Sequence, residues 1–345
     1  MRILLNGVGR IGKAIVRIAN SCETIKIIAI NELNSNIDNI AYSINYDSTY
    51  GRFEDKFEVV DDYIQNNKSN IKILNCKNLE DIDFELFGID IIIDASGSKV
   101  DNDILKSLLV KAIFITNPNQ DANINIVLGI NEEKLDLNKH KIISTSSCNA
   151  TALLPILKLI DDKYGIEYGD ITTIHPLLNH QKVLDSTCVG NYDRKVECNF
   201  EFGRSSIQNI IPSTTTTVDA CSYVLPHINS TILSSSSLRV PIHVVGAINI
   251  TLTIKNKSTK DTILMLCKEY ESNQKHKILL NSYEPLVSSD FQMQHYTSII
   301  DHRFTDVKKN NMIKFVVWHD NEWGYASKVV DILKYYDKIS CYKID

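Results

Sequence analysis

The feature that most constrains this chain is a group of three glycines close to its first residue. Residues 2–5 form a short apolar run typical of a strand, and residues 12–21 have the apolar spacing of an amphipathic helix. Between them, Gly7, Gly9 and Gly12 give the pattern Gly-x-Gly-x-x-Gly. In a strand–turn–helix setting the first glycine permits a tight turn, the second lets phosphates approach the backbone, and the third lets helix and strand pack closely. The helix start also offers N–H groups and a positive dipole end to an anion. The pattern therefore predicts a dinucleotide-binding α/β fold.

A carboxylate lies where such a fold selects its nucleotide. Residues 24–30 are typical of a second strand, and Glu32 follows Gly12 by 20 residues. An acid at this point accepts hydrogen bonds from ribose hydroxyls and repels a 2′-phosphate. The spacing therefore favours NAD over NADP as the cofactor.

The periodicity of the apolar residues changes near the middle of the chain. Strand–helix alternation in the first half favours a parallel sheet covered on both faces. After the helical pattern of residues 151–163, alternating segments such as residues 248–254 favour a mostly antiparallel sheet. We predict an α/β protein with a Rossmann dinucleotide-binding domain over residues 1–147. A C-terminal helix over about residues 322–345 would pack back on that domain, and residues 148–321 would form a second, α+β domain.

Charge and hydropathy exclude several classes of protein. The chain carries 37 basic and 42 acidic residues, a formal net charge of −5, whereas nucleic-acid binders show a basic surface. No apolar run approaches the roughly 18 residues that a membrane-spanning helix needs, and the apolar lead before Asn6 is too short for a signal peptide. No two cysteines have the Cys-x-x-Cys spacing of a zinc site. We expect a cytoplasmic protein with no metal, nucleic-acid or membrane partner.

Cys148 is the candidate nucleophile. It lies where a strand over residues 142–144 passes through small polar residues into a helix. Free N–H groups and the dipole at a helix start stabilise a thiolate, and the same groups can hold an oxyanion. A cysteine at a helix cap is more often structural than catalytic, so this assignment requires a base nearby.

His175 is the candidate base. It ends the predicted strand Thr-Thr-Ile-His, 27 residues after Cys148, and a strand end can return to the cleft at the start of the helix. Four other histidines are rivals on pattern alone: His180, His227, His243 and His319.

The whole chain resembles the glyceraldehyde-3-phosphate dehydrogenase family. The matching segments, in the family's order and at near-family spacing apart from one insertion, are residues 6–12, 46–53, 147–148, 172–175, 208–213, 238–241, 286–290 and 318–325. The resemblance implies an NAD-dependent cytoplasmic homotetramer of glycolysis or gluconeogenesis. It would oxidise glyceraldehyde 3-phosphate to 1,3-bisphosphoglycerate with inorganic phosphate, and residues 148–321 would be the catalytic domain. Cys148 would attack the aldehyde, His175 would take the hydroxyl proton as hydride leaves for NAD, and phosphate or water would cleave the thioester.

The resemblance also implies the binding residues of the site. On the cofactor side it adds these residues to the three glycines and Glu32: Arg10, Ile11, Ser96, Gly97, Asn117, Asn321 and Tyr325. On the side of the substrate and inorganic phosphate it implies Ser147, Asn149, Thr215, Thr216 and Arg239. The forked donors of an arginine suit a phosphate.

Several departures from the family pattern leave alternatives open. Asn149 and Ala150 stand where the family has two threonines, Leu178 replaces a threonine, and Thr216 replaces a glycine. An insertion that includes residues 191–202 has no role that the sequence indicates. One alternative is therefore an erythrose-4-phosphate dehydrogenase serving pyridoxal-phosphate synthesis, with water cleaving the thioester. The other is a degenerate, non-catalytic relative that still binds NAD.

Overall fold

The computed structural model describes residues 1–33, 35–98, 100–188 and 200–341. The chain divides into two compact units. Unit 1 contains Met1–Ser147 and Glu322–Asp345, and unit 2 contains Cys148–Asn321.

The described residues form nineteen strands and eight α-helices. The strands are β1 Arg2–Asn6, β2 Lys26–Asn31, β3 Tyr46–Asp47, β4 Gly51–Arg52, β5 Glu58–Val60, β6 Tyr63–Gln65, β7 Asn70–Leu74, β8 Ile91–Asp94, β9 Ala112–Ile115, β10 Ile124–Asn125, β11 Ile142–Ser144, β12 Ile166–His175, β13 Ile211–Ser213, β14 Leu233–Arg239, β15 Gly246–Ile254, β16 Leu279–Ser282, β17 Ser298–Asp301, β18 Asp306–Lys308 and β19 Met312–His319. The α-helices are α1 Arg10–Ala19, α2 Ile37–Asn45, α3 Phe84–Phe87, α4 Asn102–Ser107, α5 Cys148–Tyr164, α6 Thr217–Ser222, α7 Lys260–Asn273 and α8 Trp323–Cys341.

Unit 1 is built on a nine-stranded sheet in the order β10-β11-β9-β8-β1-β2-β7-β6-β5. Every pair from β10 to β7 is parallel, and only β6 and β5 are antiparallel additions at one edge. Ile3, Leu4 and Leu5 of the central strand have no exposed surface, as expected for a parallel strand covered on both faces. Helix α8 contacts α1 within this unit. The parallel sheet predicted for the first half is confirmed.

Three buried polar side chains tie together the carboxyl ends of the central strands of unit 1. Asn6 at the end of β1 donates to the Asp94 carboxylate at the end of β8, at 3.0 Å. Asn31 at the end of β2 donates to the Asn6 side-chain oxygen, at 2.9 Å. Because buried polar groups need partners, this network fixes the edge from which the glycine turn departs.

Unit 2 contains an eight-stranded sheet in the order β13-β14-β12-β15-β19-β17-β16, with β18 also paired to β19. Only β12–β14 and β16–β17 are parallel, so the mostly antiparallel sheet predicted for the second half is also confirmed. Helix α5 contacts β12, β15, β17 and β19 and so covers one face.

The described residues lack two kinds of structural feature. No helix among them is both long and apolar enough to cross a membrane. They also contain no group of three or more His, Cys, Asp or Glu side chains that could hold a metal ion.

Candidate active site

Four neighbouring strands of unit 2 bring their ends into one row across the sheet. His175, the last residue of β12, pairs with Arg239, the last residue of β14. Gly246, the first residue of β15, pairs with His319, the last residue of β19. The antiparallel register of β12 and β15, continued by one residue, sets His175 level with Gly246. Since paired residues project from the same face of a sheet, Arg239, His175 and His319 share one face, with a gap at the glycine.

Cys148 is the first residue of α5, and its Sγ lies 3.9 Å from Nε2 of His175. The other ring nitrogen, Nδ1, lies 2.8 Å from the carbonyl oxygen of Pro176. A carbonyl only accepts, so Nδ1 carries the hydrogen and Nε2 presents its lone pair to the thiol. The structure therefore brings together the two residues that the sequence proposes as nucleophile and base.

Burial keeps His175 neutral. Its side chain is 5% exposed. Burial first, and the nearby charge of Arg239 second, lower its pKa to about 4. At neutral pH the imidazole can therefore accept a proton.

Arg239 supplies positive charge at the same place. Its Nε is buried and has no hydrogen-bond partner among the described residues. Burial lowers the pKa of this guanidinium, and the charge of Cys148 acts in the opposite direction. A half-buried cation that keeps a buried donor uncommitted fits an anionic ligand such as a phosphate.

A chain of polar side chains continues from Cys148 into the unit. Nε2 of His319 lies 3.1 Å from Oδ1 of Asn149, the residue after Cys148. Nδ2 of Asn149 donates to Oγ1 of Thr217 at 3.3 Å, and that hydroxyl lies 2.6 Å from Oγ1 of Thr215. The amide of Asn149, predicted to bind phosphate, is thus engaged at both ends by protein groups.

The remaining residues predicted on the phosphate side have different surroundings. Ser147 directly precedes Cys148 and is half-buried, whereas Thr216 is exposed just before α6. Phosphate binding by Ser147, Asn149, Thr215, Thr216 and Arg239 stays a prediction.

His319 is the residue of this site that sequence reasoning left among the rivals. Among the other rivals, His227 pairs with the Asp161 carboxylate at 2.8 Å and its side chain is largely exposed. The signal for His319 was the alternation of β19, which places it on the buried face with Val317 and Phe315. The residues that lie beside His319 on that face can be identified only once the strand register is known.

The glycine turn of unit 1 has the geometry that its motif predicts. Gly7 has a φ of +89°, and a Cβ there would lie 2.6 Å from the Cα of Ser96. A Cβ on Gly12 would lie 2.2 Å from the carbonyl oxygen of Gly7. A Cβ on Gly9 would meet no atom within 4 Å. The first and third glycines are therefore needed for packing, and the second leaves an open approach to the backbone.

A cleft of about 450 Å³ opens beside this turn within unit 1. Its lining includes Gly7, Gly9, Glu32 and Ser96. It also includes Lys77, Asn78 and Leu79, which follow β7 and which sequence reasoning missed. No motif marks that loop, and only the position of β7 beside β2 brings it to the cleft.

Glu32 lies across the mouth of the glycine turn. Its carboxylate accepts a hydrogen bond from the backbone N–H of Val8 at 2.9 Å and another from Leu33 at 3.0 Å. This cleft combines backbone N–H donors, open space beside Gly9 and a carboxylate. A pyrophosphate requires the first two and a ribose the third. The residues present therefore fit NAD.

Other predicted cofactor residues are committed elsewhere or exposed. The Arg10 guanidinium is held by two carboxylates, through Nε to Glu322 at 2.9 Å and through Nη1 to Asp47. Burial alone would lower the pKa of Arg10, but these bonds raise it. The Tyr325 hydroxyl donates to the carbonyl of Ser146 at 3.0 Å.

The last predicted cofactor residues lie in separate places. Asn117 and Gly97 are exposed, and Ile11 is half-buried in the first turn of α1. In unit 2, the side-chain oxygen of Asn321 accepts from the N–H of Val245 at 3.2 Å. Contacts of all these residues with NAD stay predictions.

The insertion also stays without an assigned role. Residues 191–199 lie outside the described residues. The last part of the predicted insertion, residues 200–202, belongs to the short 3-10 helix Phe200–Gly203.

Comparison with known proteins agrees with this geometry. The model of the glyceraldehyde 3-phosphate dehydrogenase NAD binding domain matches residues 1–102, and that of the C-terminal domain matches residues 147–321. The first match indicates NAD as the cofactor.

Relatives align over nearly the full length. Glyceraldehyde-3-phosphate dehydrogenase 2 of Bacillus subtilis is 30% identical over 338 residues, which cover 97% of this chain and 96% of the relative. Glyceraldehyde-3-phosphate dehydrogenase of Buchnera aphidicola is 34% identical over 337 residues, 97% of this chain and 98% of the relative. That of Priestia megaterium is 31% identical over 338 residues, 97% and 98% respectively. These names favour neither the erythrose-4-phosphate nor the non-catalytic alternative. By domain content, by relatives and by the arrangement of its site, the chain belongs to the glyceraldehyde-3-phosphate dehydrogenase family.

Proposed function

We propose that this chain is an NAD-dependent dehydrogenase that oxidises glyceraldehyde 3-phosphate to 1,3-bisphosphoglycerate with inorganic phosphate. The observation that carries the proposal is the Cys148–His175 pair, 3.9 Å apart at the start of a helix, with the unprotonated nitrogen of the imidazole facing the thiol. The relatives, all named glyceraldehyde-3-phosphate dehydrogenases, support this substrate.

The first chemical steps belong to Cys148 and His175. Nε2 of His175 takes the thiol proton, and the N–H groups at the start of α5 stabilise the thiolate. The thiolate attacks the aldehyde carbon, a C–S bond forms, and the carbonyl oxygen takes the proton back from His175. The product is a thiohemiacetal on Cys148.

The same pair completes the oxidation and the transfer. When bound, NAD supplies a hydride acceptor. His175 takes the hydroxyl proton as the thiohemiacetal becomes a thioester. Inorganic phosphate then attacks the thioester carbon, the C–S bond breaks, and Cys148 leaves as the thiolate while the acyl phosphate is released.

Arg239 would bind an anion during these steps. Its guanidinium shares a sheet face with His175 and keeps Nε uncommitted among the described residues. A forked cation binds a phosphate group more strongly than it binds a neutral aldehyde. We assign it to the substrate phosphate or to the attacking phosphate.

The domain roles, location and assembly follow as parts of the proposal. Residues 1–147 with 322–345 would be the NAD-binding domain, and residues 148–321 the catalytic domain. The reaction needs NAD, phosphate and a phosphorylated triose together, which supports a cytoplasmic location without nucleic-acid or membrane partners. Exposed apolar side chains, among them Leu184 and Ile210, would be covered in the homotetramer that the family resemblance implies. Light scattering on the purified protein measures that assembly.

The decisive assay follows NADH formation by the purified chain with glyceraldehyde 3-phosphate, NAD and phosphate. We expect turnover that depends on phosphate. It should be much slower when inorganic phosphate is left out, and much slower when the four-carbon erythrose 4-phosphate replaces the triose. Cys148→Ser should lower turnover by about 10⁴-fold or more, since the nucleophile is lost. Cys22→Ser is the matched control, because Cys22 belongs to unit 1, where its thiol donates to the carbonyl of Ile18 at 3.7 Å. Turnover that survives in Cys148→Ser, or that prefers the four-carbon sugar, would contradict the proposal.

A further inference from the structure

His319 is a buried histidine that the proposed chemistry does not use. Its side chain is 2% exposed at the end of β19. An amide oxygen only accepts, so Nε2 donates the 3.1 Å hydrogen bond to Oδ1 of Asn149. Nδ1 then carries no hydrogen, and it has no partner among the described residues. Buried polar atoms without partners are rare in native proteins because they lower stability. The position of this ring is therefore kept although it lowers the stability of the folded protein.

Gly246 explains how the ring fits. A Cβ at this position would lie 2.8 Å from Cε1 and 3.1 Å from Nε2 of His319. The imidazole therefore occupies the space that a side chain on β15 would fill. This places it next to His175. Burial is the main cause that lowers the pKa of His319 to about 3, and repulsion from the His175 ring when that ring is protonated is the second.

Asn149 connects this ring to the nucleophile. It is the second residue of α5, directly after Cys148. One end of its amide accepts from His319 on β19, and the other donates to Thr217 on α6. The first turn of α5 is thus fastened to two other elements of unit 2.

We propose that His319 is a positioning residue, whose Nε2–H bond to Asn149 fixes the first turn of α5 and so holds Sγ of Cys148 in reach of Nε2 of His175. The inference rests on the proposed function. A separation of 3.9 Å is already long for proton transfer, and displacements of about 1 Å in such pairs cost on the order of 10²-fold in rate. A small rotation of this turn would therefore slow thiolate formation.

Two conservative substitutions separate positioning from simple filling of space. His319→Gln places an amide N–H near the position of Nε2, whereas His319→Asn places it near that of Nδ1. We expect His319→Asn to lower kcat about tenfold, as for one lost hydrogen bond at the site, with KM changed less than about twofold. His319→Gln should stay within about threefold of the wild-type kcat.

A second readout does not need the aldehyde or NAD. Iodoacetamide alkylates thiolates, and peptide mass spectrometry resolves the rate at Cys148 from the rates at the other cysteines. This rate should fall about tenfold in His319→Asn and recover in His319→Gln. His302→Gln is the control, because His302 is also buried but binds Asn281 and Thr305. It should leave the Cys148 rate unchanged even if it lowers Tm.

Asn149→Ala tests the same bond from its other end and covers the case in which His319→Asn does not fold. It should reproduce the slower alkylation of Cys148. The double variant with His319→Asn should be alkylated at nearly the same rate as Asn149→Ala, because both substitutions remove the same hydrogen bond. Any of three results for the rate of Cys148 alkylation would overturn the proposal. The rate in His319→Asn could equal that of the wild type, the Gln and Asn variants could lose the same amount, or the effects of the two substitutions could add in the double variant. If the wild type fails to oxidise glyceraldehyde 3-phosphate, the proposed function fails, while the alkylation comparison still decides whether His319 positions Cys148.

Discussion

The glycine turn of unit 1 and the cross-strand row of unit 2 are built in opposite ways. The turn depends on side chains that are absent, at Gly7, Gly9 and Gly12, and these glycines lie within six consecutive residues. The row depends on side chains that are present, and Asn149 meets His319 across a separation of 170 residues. A local backbone site leaves a contiguous motif in the sequence, whereas a site assembled by strand register does not.

The largest effect that sharpens this comparison is expected at His175. His175→Gln keeps a polar side chain of similar length but removes the base, so kcat should fall about 10²- to 10⁴-fold. Initial rates with saturating substrate measure the loss. Tm should change little, since Gln can keep part of the buried packing. A variant within tenfold of the wild type would mean that another group takes the proton.

The same residue predicts the acid limb of the pH profile. His175 accepts a proton only when neutral, and burial lowers its pKa to about 4. Activity should therefore persist below pH 6.5 and decline only as pH approaches about 4. A limb in kcat/KM centred on the ordinary histidine pKa would show that the imidazole is less buried in the free enzyme than this structure indicates.

The glycines separate packing from binding in unit 1. Gly12→Ala drives a Cβ onto the Gly7 carbonyl oxygen, and we expect it to lower the free energy of unfolding by about 3 kcal/mol. Gly9→Ala meets no protein atom, so its unfolding should change by less than about 0.5 kcal/mol. Its NAD affinity should fall about tenfold, since the new methyl occupies the phosphate approach. Urea unfolding measures the two changes in stability, and NAD titration measures the affinity. Unchanged NAD affinity in Gly9→Ala would show that no phosphate of NAD binds at this turn.

Arg239→Lys tests the charged end of the row. The change keeps the charge and loses the fork, so KM for the phosphorylated aldehyde or for phosphate should rise about tenfold. Arg204→Lys is the matched control, because the Arg204 side chain is exposed and pairs with Asp185 at 3.0 Å. Equal KM values for both variants would indicate that Arg239 binds neither anion.

The last effect concerns acid stability. His175, His302 and His319 are buried, and their pKa values are lowered to about 4, 4 and 3. The unfolded chain binds protons to these rings near pH 6.5 and the folded chain does not, so their contribution is complete above pH 6.5 and is lost as pH falls toward these values. His302→Gln should flatten the fall in unfolding free energy between pH 6.5 and 4 by at most about 1.4 kcal/mol per pH unit. An unchanged slope in urea unfolding would show that the ring is already charged in the folded protein.

Much of the fold and part of the site could be predicted from the residues alone. The parallel sheet follows from apolar runs and the cofactor cradle from a single turn, because both signals are local. Cys148 and His175 were singled out by their places at a helix start and a strand end. The roles of Gly246 and His319 could not be predicted, since they depend on which strands are neighbours and in what register. Lys77 was missed for the same reason.

The late return of the chain to unit 1 affects how that unit is completed during synthesis. Glu322 and Tyr325 come after all of unit 2, yet they bind Arg10 and Ser146 in the first part of unit 1. A ribosome must therefore translate all of unit 2 before the dinucleotide fold can finish assembling. A fragment ending at Ser147 would lack α8 and leave the apolar surface that covers Val329, Val330 and Leu333 open to water.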